Sequence, residues 1–567
     1  MANLRPVLLV SLLFLGYLIW VEWQKDYGPA PAATPAAMDD SVAQTDLVPP
    51  RPTEGPADSE PATGDLPEAR EDLEPVTQPV TETTSESRPL ISVTTDVLEL
   101  DIDPVGGTMV GARLLDYPVE QDTPERKVTL FNREGQRLYI AQSGLLSRQA
   151  APNHTSVYRA ERLEWNLSSG LDELRVPMTW TDQSGISVTK TFIFKPGSYE
   201  IEVRHSLSND SGQAWSGSRY EQLQKALEQD RDDGGFSNPG RYSFNGVAFY
   251  SPEEKFEKVD FDDIADDPYQ SVHSNGWLAM VQHYFFAAWI PPAAENTAYS
   301  TQEFAPTGWP RYIARGVAPS ISVAPGSTHE FSSRLYVGPK LQEQLEEVAP
   351  GLEHTVNYGI FTVFSKPLFW LLSAIHSFVG NWGWAIIFLT VLIKLAFFKL
   401  TEAQYKSMAR MRKLQPRVEA LKERYGDDRQ RMSQAMMEMY KKEKVNPLGG
   451  CLPILVQIPI FIALYWVLLE SVELRQAPFI GYLTNLSARD PYFILPALNA
   501  FFMIMTQRLT PTTGMDPMQA KMMKAMPVVF SVLFAFFPAG LVLYWATNAG
   551  LSLAQQWYIT GKIAKAD

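Results

Sequence analysis

The chain has 567 residues and a formal net charge of −15, from 49 Lys+Arg against 64 Asp+Glu, and its length predicts more than one folded unit. Its single cysteine, Cys451, excludes a disulfide framework and any multi-cysteine zinc or iron–sulfur site, and the seven histidines are scattered without ligand spacing. No nucleotide-binding, hydrolase or zinc-protease motif occurs, so we expect no cofactor, no metal and no enzymatic chemistry.

The charge is divided unevenly along the chain. Residues 22–365 carry 26 Lys+Arg and 52 Asp+Glu, a net charge of −26, whereas residues 366–567 carry 22 and 12, a net charge of +10. The basic part also contains the long apolar runs, so its positive charge indicates membrane topology and not nucleic-acid binding as a primary function. The acidic part is typical of a soluble domain.

The N-terminus is predicted to be a transmembrane anchor over residues 1–22. The run Val7–Val21 is apolar, follows Arg5 and precedes Glu22. A cleaved signal peptide is the competing interpretation, but the small residues of a cleavage site begin at Ala30, well beyond the apolar run. With Arg5 kept inside, the residues that follow lie outside the membrane.

Residues 23–90 are predicted to be a disordered Pro/Ala/acidic linker. Residues 28–90 hold 12 prolines among small and acidic residues, with few aromatics. Such a segment buries too little apolar surface to offset the entropy lost on ordering. We therefore interpret it as a tether.

Residues 91–350 are predicted to form a large antiparallel β-sheet domain. Apolar residues alternate with polar ones in Leu98–Asp103, which is typical of a half-buried strand, and glycine-containing turns separate runs of strand length such as Ile186–Phe194. Trp277–Ile290 is apolar but too short to span a bilayer, and we interpret it as buried core.

The remaining chain is predicted to be a membrane region. It starts with an amphipathic helix, residues 356–380, that lies on the outer face of the membrane. If both this helix and Trp382–Phe398 crossed the membrane, residues 399–444 would lie outside. That loop holds 13 Lys+Arg against 7 Asp+Glu and belongs in the cytoplasm. Only Trp382–Phe398 is therefore assigned as a crossing.

Residues 382–567 are predicted to form a core of five membrane helices, with a cytoplasmic helical hairpin at 400–446. Together with the anchor this makes six crossings, and residues 508–525 are interpreted as an inner connection. Both termini are then cytoplasmic. The predicted core crossings are Trp382–Phe398, Leu448–Leu469, Tyr492–Gln507, Met526–Phe537 and Leu541–Ile559.

Lys394 is the only charged residue in its apolar run and is a candidate functional residue. A charge inside the membrane costs about 2.5–3.5 kcal/mol on insertion scales. Snorkelling to the inner membrane surface is the alternative interpretation, since Lys394 lies five residues before Lys399. No acidic residue in a predicted span is available as a partner, so the charge indicates a water-filled cavity open to the cytoplasm.

Three further polar residues are predicted to line this cavity with Lys394: Thr390, Gln457 and Asn548. Each of them alone is also consistent with a helix-to-helix hydrogen bond. Prolines inside the spans, such as Pro459, are read either as ordinary kinks or as breaks that water reaches.

Methionines are concentrated on the cytoplasmic side, with six in the hairpin and five between residues 515 and 526. A methionine stripe is usually the seam between two helices, but such surfaces also adapt to many apolar partners. The hypothesis of a docking surface for nascent apolar segments rests on Met408, Met411, Met432, Met436, Met522 and Met523.

Long motifs along the chain resemble the YidC membrane protein insertases of Gram-negative bacteria. They are residues 276–285 (GWLAMVQHYF), 446–453 (NPLGGCLP), 457–461 (QIPIF), 471–479 (SVELRQAPF) and 537–545 (FPAGLVLYW). The resemblance implies a polytopic α-helical membrane protein, with an N-terminal anchor, a five-helix core and a large periplasmic all-β supersandwich domain. It also implies a hydrophilic groove that is open to cytoplasm and lipid and closed outside.

The resemblance implies an insertase and chaperone of the bacterial inner membrane that acts alone or with the Sec translocon. Nascent membrane proteins and membrane lipid are the implied partners, with ribosomes and targeting factors as further candidates. Lys394 matches a groove position that is usually arginine, and lysine keeps the charge but loses the bidentate geometry. Thr390, Gln457 and Asn548 match groove positions, and Tyr544 and Trp545 match the surface along which substrates slide.

Two other functions stay open at this level. A membrane-anchored periplasmic carbohydrate-binding protein or enzyme is one, because supersandwich domains resemble sugar-processing folds; fold analogy is weak support. A solute channel or transporter is the other, and the lack of inverted repeats among the spans disfavours it.

Overall fold

Alternating apolar side chains build an all-β region in the first half of the computed structural model. The model describes residues 88–227, 243–305, 309–426, 428–443, 452–509 and 517–566. The predicted anchor at 1–22 and all but the last residues of the predicted linker at 23–90 lie outside the described residues.

Twenty strands are described between Ile91 and Pro339. They are β1 (Ile91–Thr94), β2 (Leu98–Asp103), β3 (Thr108–Pro118), β4 (Lys127–Phe131), β5 (Tyr139–Ser147), β6 (Arg159–Ala160), β7 (Glu164–Asn166), β8 (Leu174–Thr181), β9 (Ile186–Phe194), β10 (Glu200–Asn209), β11 (Trp215–Ala226), β12 (Gly246–Ser251), β13 (Lys255–Asp260), β14 (Gln270–His273), β15 (Trp277–Val281), β16 (Phe285–Ile290), β17 (Thr297–Phe304), β18 (Arg311–Val317), β19 (Ile321–Val323) and β20 (Ser327–Pro339).

The strands form two sheets. One has eleven strands in the order β14-β17-β18-β11-β5-β3-β2-β1-β7, with β19 beside β11 and β4 beside β3; the other has nine, in the order β13-β12-β15-β16-β20-β10-β9-β8-β6. Pairing is antiparallel except between β1 and β7. In β2 every second residue is buried, as the alternation predicts. The apolar faces of both sheets contribute to one core cluster.

The run Trp277–Ile290 forms two fully buried strands, β15 and β16, that pair with each other. The prediction of buried core is therefore confirmed. The turn between them has no glycine, and Tyr284 adopts a left-handed backbone conformation with φ 68°. Such a turn gives no composition signal, so the sequence alone did not indicate a hairpin here.

Ten α-helices are described after the strands. They are α1 (Gln342–Val348), α2 (Thr362–Val379), α3 (Trp382–Ala396), α4 (Phe398–Lys413), α5 (Gln415–Tyr425), α6 (Arg429–Lys442), α7 (Leu452–Glu470), α8 (Ile494–Leu509), α9 (Pro517–Phe534) and α10 (Ala539–Ala566).

Two proline positions shift helix bounds from those expected. The first arm of the hairpin predicted at 400–446 is split at Leu414, because Pro416 lacks an amide hydrogen and its ring obstructs a continuous helix. The helix α9 begins at Pro517, within the inner connection expected at 508–525, because proline suits the first turn of a helix.

Among the described residues, one helical segment, Gly359–Val379, is long and apolar enough to cross a membrane unaided. The pair Trp382–Ala396 and Phe398–Ser407 qualifies as a second span if its 63° bend is counted within one crossing. Several side chains of α2 are exposed, with Trp370 at 71% and Phe378 at 90%. The assignment of this helix to the membrane surface stays a prediction.

The all-β region contacts the C-terminal end of α7 through buried polar groups. Lys340 and Glu470 are both almost fully buried, and their charged atoms lie 3.9 Å apart. Burial, with Lys340 nearby, lowers the pKa of His283 to about 3, so its ring is neutral and Nε2 donates to the Leu469 carbonyl at 3.1 Å. The Ser243 hydroxyl donates to Glu470 at 3.1 Å. The sheet region therefore holds the last turn of α7.

Candidate functional site

Lys394 lies in the last turn of α3, and the helix is held by contacts at its other end. Asn381 caps the helix by accepting a hydrogen bond from the Trp384 amide at 3.1 Å. Gly383 lets the backbone approach Phe479 so closely that an added Cβ would lie 2.1 Å from a ring carbon. These contacts set the depth and rotation of α3 and hence the direction of the Lys394 side chain.

The ammonium group of Lys394 points toward α10. Only 7% of the residue is exposed, and Nζ donates to the Ser552 hydroxyl at 2.8 Å. Ser552 in turn donates to the Asn548 carbonyl at 2.7 Å. The snorkelling alternative requires an extended, exposed side chain, which differs from this placement.

Ser552 is the site residue that the sequence prediction missed. Besides accepting from Lys394, its carbonyl accepts from the Tyr405 hydroxyl at 3.2 Å, which brings α4 to the same point. The spacing to Asn548 was the available signal, since residues four apart share one helix face. Serine is common at contacts between membrane helices, so the residue type alone gives no further signal.

Of the other predicted groove residues, the structure joins Gln457 to this group and leaves Thr390 beside it. Gln457 on α7 donates from Nε2 to Asn548 Oδ1 at 3.1 Å. Thr390 lies one turn before Lys394, but its hydroxyl donates to the Ile386 carbonyl of its own helix at 2.7 Å, and only 1% of it is exposed. A polar track thus runs from Lys394 through Asn548 to Gln457, while Thr390 lies beside it.

Acidic residues near the helix ends pair with other cations. Glu402 lies 2.7 Å from Lys406, and Glu470 is the partner of Lys340. Within the described ranges, no carboxylate lies within 4.0 Å of the Lys394 ammonium. Among the described residues, the hydrogen-bond partner of this ammonium is one neutral hydroxyl, that of Ser552, which leaves the positive charge able to attract an acidic group of another molecule.

The predicted slide residues lie earlier on α10 and are packed inside the helical region. Tyr544 is 1% exposed and Trp545 is 8% exposed. The Trp545 ring stacks on Phe534 and Phe461, with ring centroids 3.6 and 5.4 Å apart. These contacts join α7, α9 and α10 beside the polar track.

The predicted docking methionines are distributed over three helices. Met432 and Met436 lie half-buried on α6, and Met522 on α9 is 65% exposed. The structure does not describe the side chains of Met408, Met411 and Met523. The docking surface stays a prediction.

No cofactor site accompanies the polar track in the part of the chain that the structure describes. Among those residues, no group of three or more His, Cys, Asp or Glu side chains is positioned to hold a metal ion. The chemistry available to the track is that of one cation, a hydroxyl and two amides, which bind and orient polar groups.

Two family models match almost the whole described chain. Residues 90–371 match the YidC periplasmic domain, and residues 374–566 match the 60Kd inner membrane protein family. A relative from Thioalkalivibrio sulfidiphilus, named membrane protein insertase YidC, is 48% identical over 574 residues, covering 100% of this chain and 99% of the relative. The chain belongs to the YidC family of membrane protein insertases.

Other relatives of the same name are similarly close. The YidC insertases of Methylococcus capsulatus and Nitrosococcus oceani are 48% and 46% identical, each covering 99% or more of this chain and 99% of the relative. YidC insertases are inner-membrane proteins with a periplasmic domain and are not enzymes. The all-β region is accordingly periplasmic, and the helical region belongs to the inner membrane.

Solved structures were also compared with the chain. A structure of an active YidC insertase with its first transmembrane domain resolved has a TM-score of 0.39 and 19% identity, covering 84% of this chain and 93% of that one. A galactose mutarotase related enzyme from Lactobacillus acidophilus has a TM-score of 0.29 and 8% identity, covering 44% of this chain and 97% of that one.

Proposed function

We propose that this YidC insertase moves the polar ends of nascent membrane proteins into the bilayer through a groove built on the polar track of α3, α7 and α10. The observation that carries the proposal is the buried Lys394 ammonium, whose hydrogen-bond partner is the hydroxyl of Ser552 and not a carboxylate. A buried cation with a neutral partner attracts an acidic tail from the cytoplasm. Gln457 and Asn548 supply further hydrogen-bonding groups along the path.

The energy for insertion comes from the substrate. Moving a polar tail from water into hydrocarbon is unfavourable, and water, a cation and amides in the groove lower that cost. Burial of the apolar helix that follows contributes about 25 cal/mol per Å² of apolar area. No nucleotide is needed for this step.

We infer a membrane arrangement of one N-terminal anchor and five core crossings, with both termini in the cytoplasm. The core crossings correspond to α3, α7, α8, α9 and α10, and α2 lies on the periplasmic membrane surface. The excess of basic residues between α3 and α7 supports this orientation, because short cytoplasmic loops are rich in Lys and Arg.

The helices α4, α5 and α6 form a cytoplasmic docking surface in this arrangement. Their methionines, with those of α9, adapt to apolar segments of different shape. Ribosomes and targeting factors are candidate partners of the basic surface, and the Sec translocon is a candidate partner for larger substrates. Membrane lipid surrounds the core.

The charge at position 394 provides the direct test. Single-span substrates with acidic translocated tails are inserted in vesicles carrying the wild-type chain, Lys394→Arg or Lys394→Glu. We expect Lys394→Arg to retain insertion and Lys394→Glu to slow it about tenfold, the effect of about 1.4 kcal/mol of lost attraction. Substrates with neutral tails serve as the control and depend less on the charge. Equal insertion of acidic tails by both variants would contradict the proposal.

A further inference from the structure

Four asparagines of the chain lie in the sequence Asn-X-Ser/Thr, with X other than proline, which is the acceptor motif for N-linked glycans. They are Asn153, Asn166, Asn209 and Asn485. The first three belong to the periplasmic domain, and Asn485 follows α7. Because the motif is short and also occurs by chance, the structure around each asparagine decides whether it is suited to be an acceptor.

Three of these motifs are folded onto themselves. In each of them, the hydroxyl of the third residue donates to Oδ1 of the asparagine: Thr155 to Asn153 at 2.7 Å, Ser211 to Asn209 at 2.6 Å and Ser487 to Asn485 at 2.8 Å. Asn209 is also fully buried, and its Nδ2 donates to the carbonyls of Gln213 and Val323. An enzyme that bound the hydroxyl and the amide of these motifs would first have to break the bonds between them.

The motif at Asn166 is extended and exposed. Asn166 is the last residue of β7, and the Leu167 amide continues the pairing by donating to the Thr94 carbonyl at 2.9 Å. Alternate residues of an extended chain share one face. Glu164, Asn166 and Ser168 are accordingly all exposed, while the side chains of Trp165 and Leu167 pack against the core. The carboxylate, the amide and the hydroxyl therefore project from the same exposed face.

The position of β7 in the sheet leaves room for an enzyme. Among the described strands, β7 is the last of the eleven-stranded sheet, and its neighbour is β1. The two strands are parallel, so Asn166 lies beside Thr94, whereas the chain enters β1 at its other end, beside Glu164. The acceptor amide is therefore at the rim of the domain, at the end of β1 away from that entry.

Glu164 distinguishes this motif from the other three. The residue two positions before the asparagine is Ala151, Leu207 or Leu483 in those motifs, and a carboxylate in this one. Two residues of strand put the carboxylate about 7 Å from the amide along the chain. A cation of a bound enzyme can pair with it there, and such charge-assisted contacts are about twice as strong as neutral ones.

We propose that Asn166 is an acceptor for N-linked glycosylation in the periplasm, with a polyprenyl-diphosphate-linked oligosaccharide as the donor. The Asn166 Nδ2 atom forms a bond to the anomeric carbon of the first sugar, and the bond from that carbon to the diphosphate oxygen breaks. The polyprenyl diphosphate leaves with the electron pair of the broken bond. The amide nitrogen gives up one proton to a base of the enzyme.

A glycan at this position covers an exposed sheet edge. Leu163 and Leu171, on either side of the motif, are 44% and 48% exposed. Open sheet edges with apolar side chains favour association with other chains, and a bulky, soluble glycan opposes it. The modification therefore keeps this edge of the periplasmic domain free of unwanted strand pairing.

The test combines the purified, folded full-length chain in nanodiscs with a bacterial oligosaccharyltransferase and undecaprenyl-diphosphate-linked oligosaccharide, followed by mass spectrometry of the peptides. We expect one glycan, at Asn166, and none in Asn166→Gln. Ser168→Ala should slow the modification about tenfold or more, whereas Ser168→Thr keeps the hydroxyl and should be modified like the wild type. Glu164→Gln should slow it about tenfold, through the loss of one charged contact. Unchanged thermal midpoints check that the variants fold.

Three results would overturn the proposal. The first is modification of a free peptide of residues 162–170 by the same enzyme while Asn166 of the folded chain stays unmodified, because the fold would then hide the motif. The second is the lack of modification in both peptide and chain. The third is glycosylation of Asn153, Asn209 or Asn485 to the same extent as Asn166, because the extended and exposed conformation would then not select the acceptor.

Discussion

The Lys394 side chain combines burial with incomplete charge compensation. Its ammonium donates to Ser552, a neutral hydroxyl, at 2.8 Å. A carboxylate at this point would neutralise the site and compete with a substrate, whereas a hydroxyl holds the cation and leaves its charge available. At the scale of single residues, Ser552 therefore acts as a positioning residue for the proposed groove.

Removing the Ser552 hydroxyl tests that role. We expect Ser552→Ala to lower the free energy of unfolding by about 1.5–3 kcal/mol, because the buried ammonium loses a hydrogen bond to a neutral acceptor. Ser531→Ala is the matched control, since the Ser531 hydroxyl donates to the Pro527 carbonyl of its own helix. Thermal unfolding in detergent checks both variants, and an equal, small change in both would argue against the positioning role.

The sequence predicts one of the two residues of this contact, Lys394, but not the other, Ser552. Lys394 is visible in the sequence because it is the only charge in an apolar run, and membrane burial makes that position costly. Its hydrogen-bond partner lies 158 residues away, and only the helical spacing to Asn548 relates Ser552 to the groove. Which polar residues meet depends on how the helices pack, and periodicity does not contain that information.

At the scale of elements, the contact between α1, which follows the sheets, and the segment after α7 is polar and buried. Gln342, at the start of α1, donates from its backbone amide to Glu473 at 3.3 Å, and its side chain accepts from the Tyr358 hydroxyl at 2.7 Å. Burial raises the pKa of Glu473 to about 7, and the nearby charge of Glu343 adds to this. The carboxyl group is therefore protonated in the folded protein at a pH where it is ionised after unfolding.

This shift predicts a pH-dependent stability. The folded pKa of Glu473, about 7, lies above the reference value of 4.5, so the folded state binds the extra proton between those values. We expect the free energy of unfolding to fall as pH rises from 4.5 to 7, and Glu473→Gln to remove part of that fall. Glu347→Gln, at an exposed position of α1, is the control. Thermal midpoints that change in parallel in wild type and Glu473→Gln would contradict this assignment.

The local sequence pattern predicts individual strands and helices better than it predicts the contacts between them. The alternation in Leu98–Asp103 gives β2 with its bounds, because one buried sheet face requires it. The break at Leu414 follows from Pro416, because proline lacks the amide hydrogen that a continuous helix would need at this position. The pair of Lys340 and Glu470 has no local signal, since the two residues are 130 positions apart and meet only through tertiary packing.

At the scale of the whole molecule, an acidic periplasmic sheet domain is joined to a basic helical membrane region. The division of charge already separates the two parts in the sequence, and the family models divide the chain between residues 371 and 374. The polar track lies within the helical part and involves no residue of the sheets. The sheet domain contacts the end of α7 and is therefore expected to modulate insertion without being required for it.

Deleting the sheets separates the two parts experimentally. We expect a chain without residues 91–340 to insert single-span substrates at a rate within a few-fold of the wild type, because the groove is retained and Glu470 gains water in place of Lys340. A carbohydrate-directed function would instead be lost with these residues. Loss of insertion for every substrate, with the helical region still folded by circular dichroism, would contradict the placement of the groove.

Access of water to position 394 is the most direct measurement of the proposed mechanism. Cys451→Ser removes the only cysteine, and Lys394→Cys then provides a single thiol for labelling by a membrane-impermeant maleimide. Two further variants give the slowest and the fastest labelling expected. Leu389→Cys is at a fully buried position on the same helix, and Lys399→Cys replaces a side chain that is 92% exposed. A cytoplasm-facing groove predicts labelling of position 394 from the cytoplasmic side, faster than at position 389. A thiol at 394 that stays as unreactive as the one at 389, or reacts only from the periplasm, would contradict it.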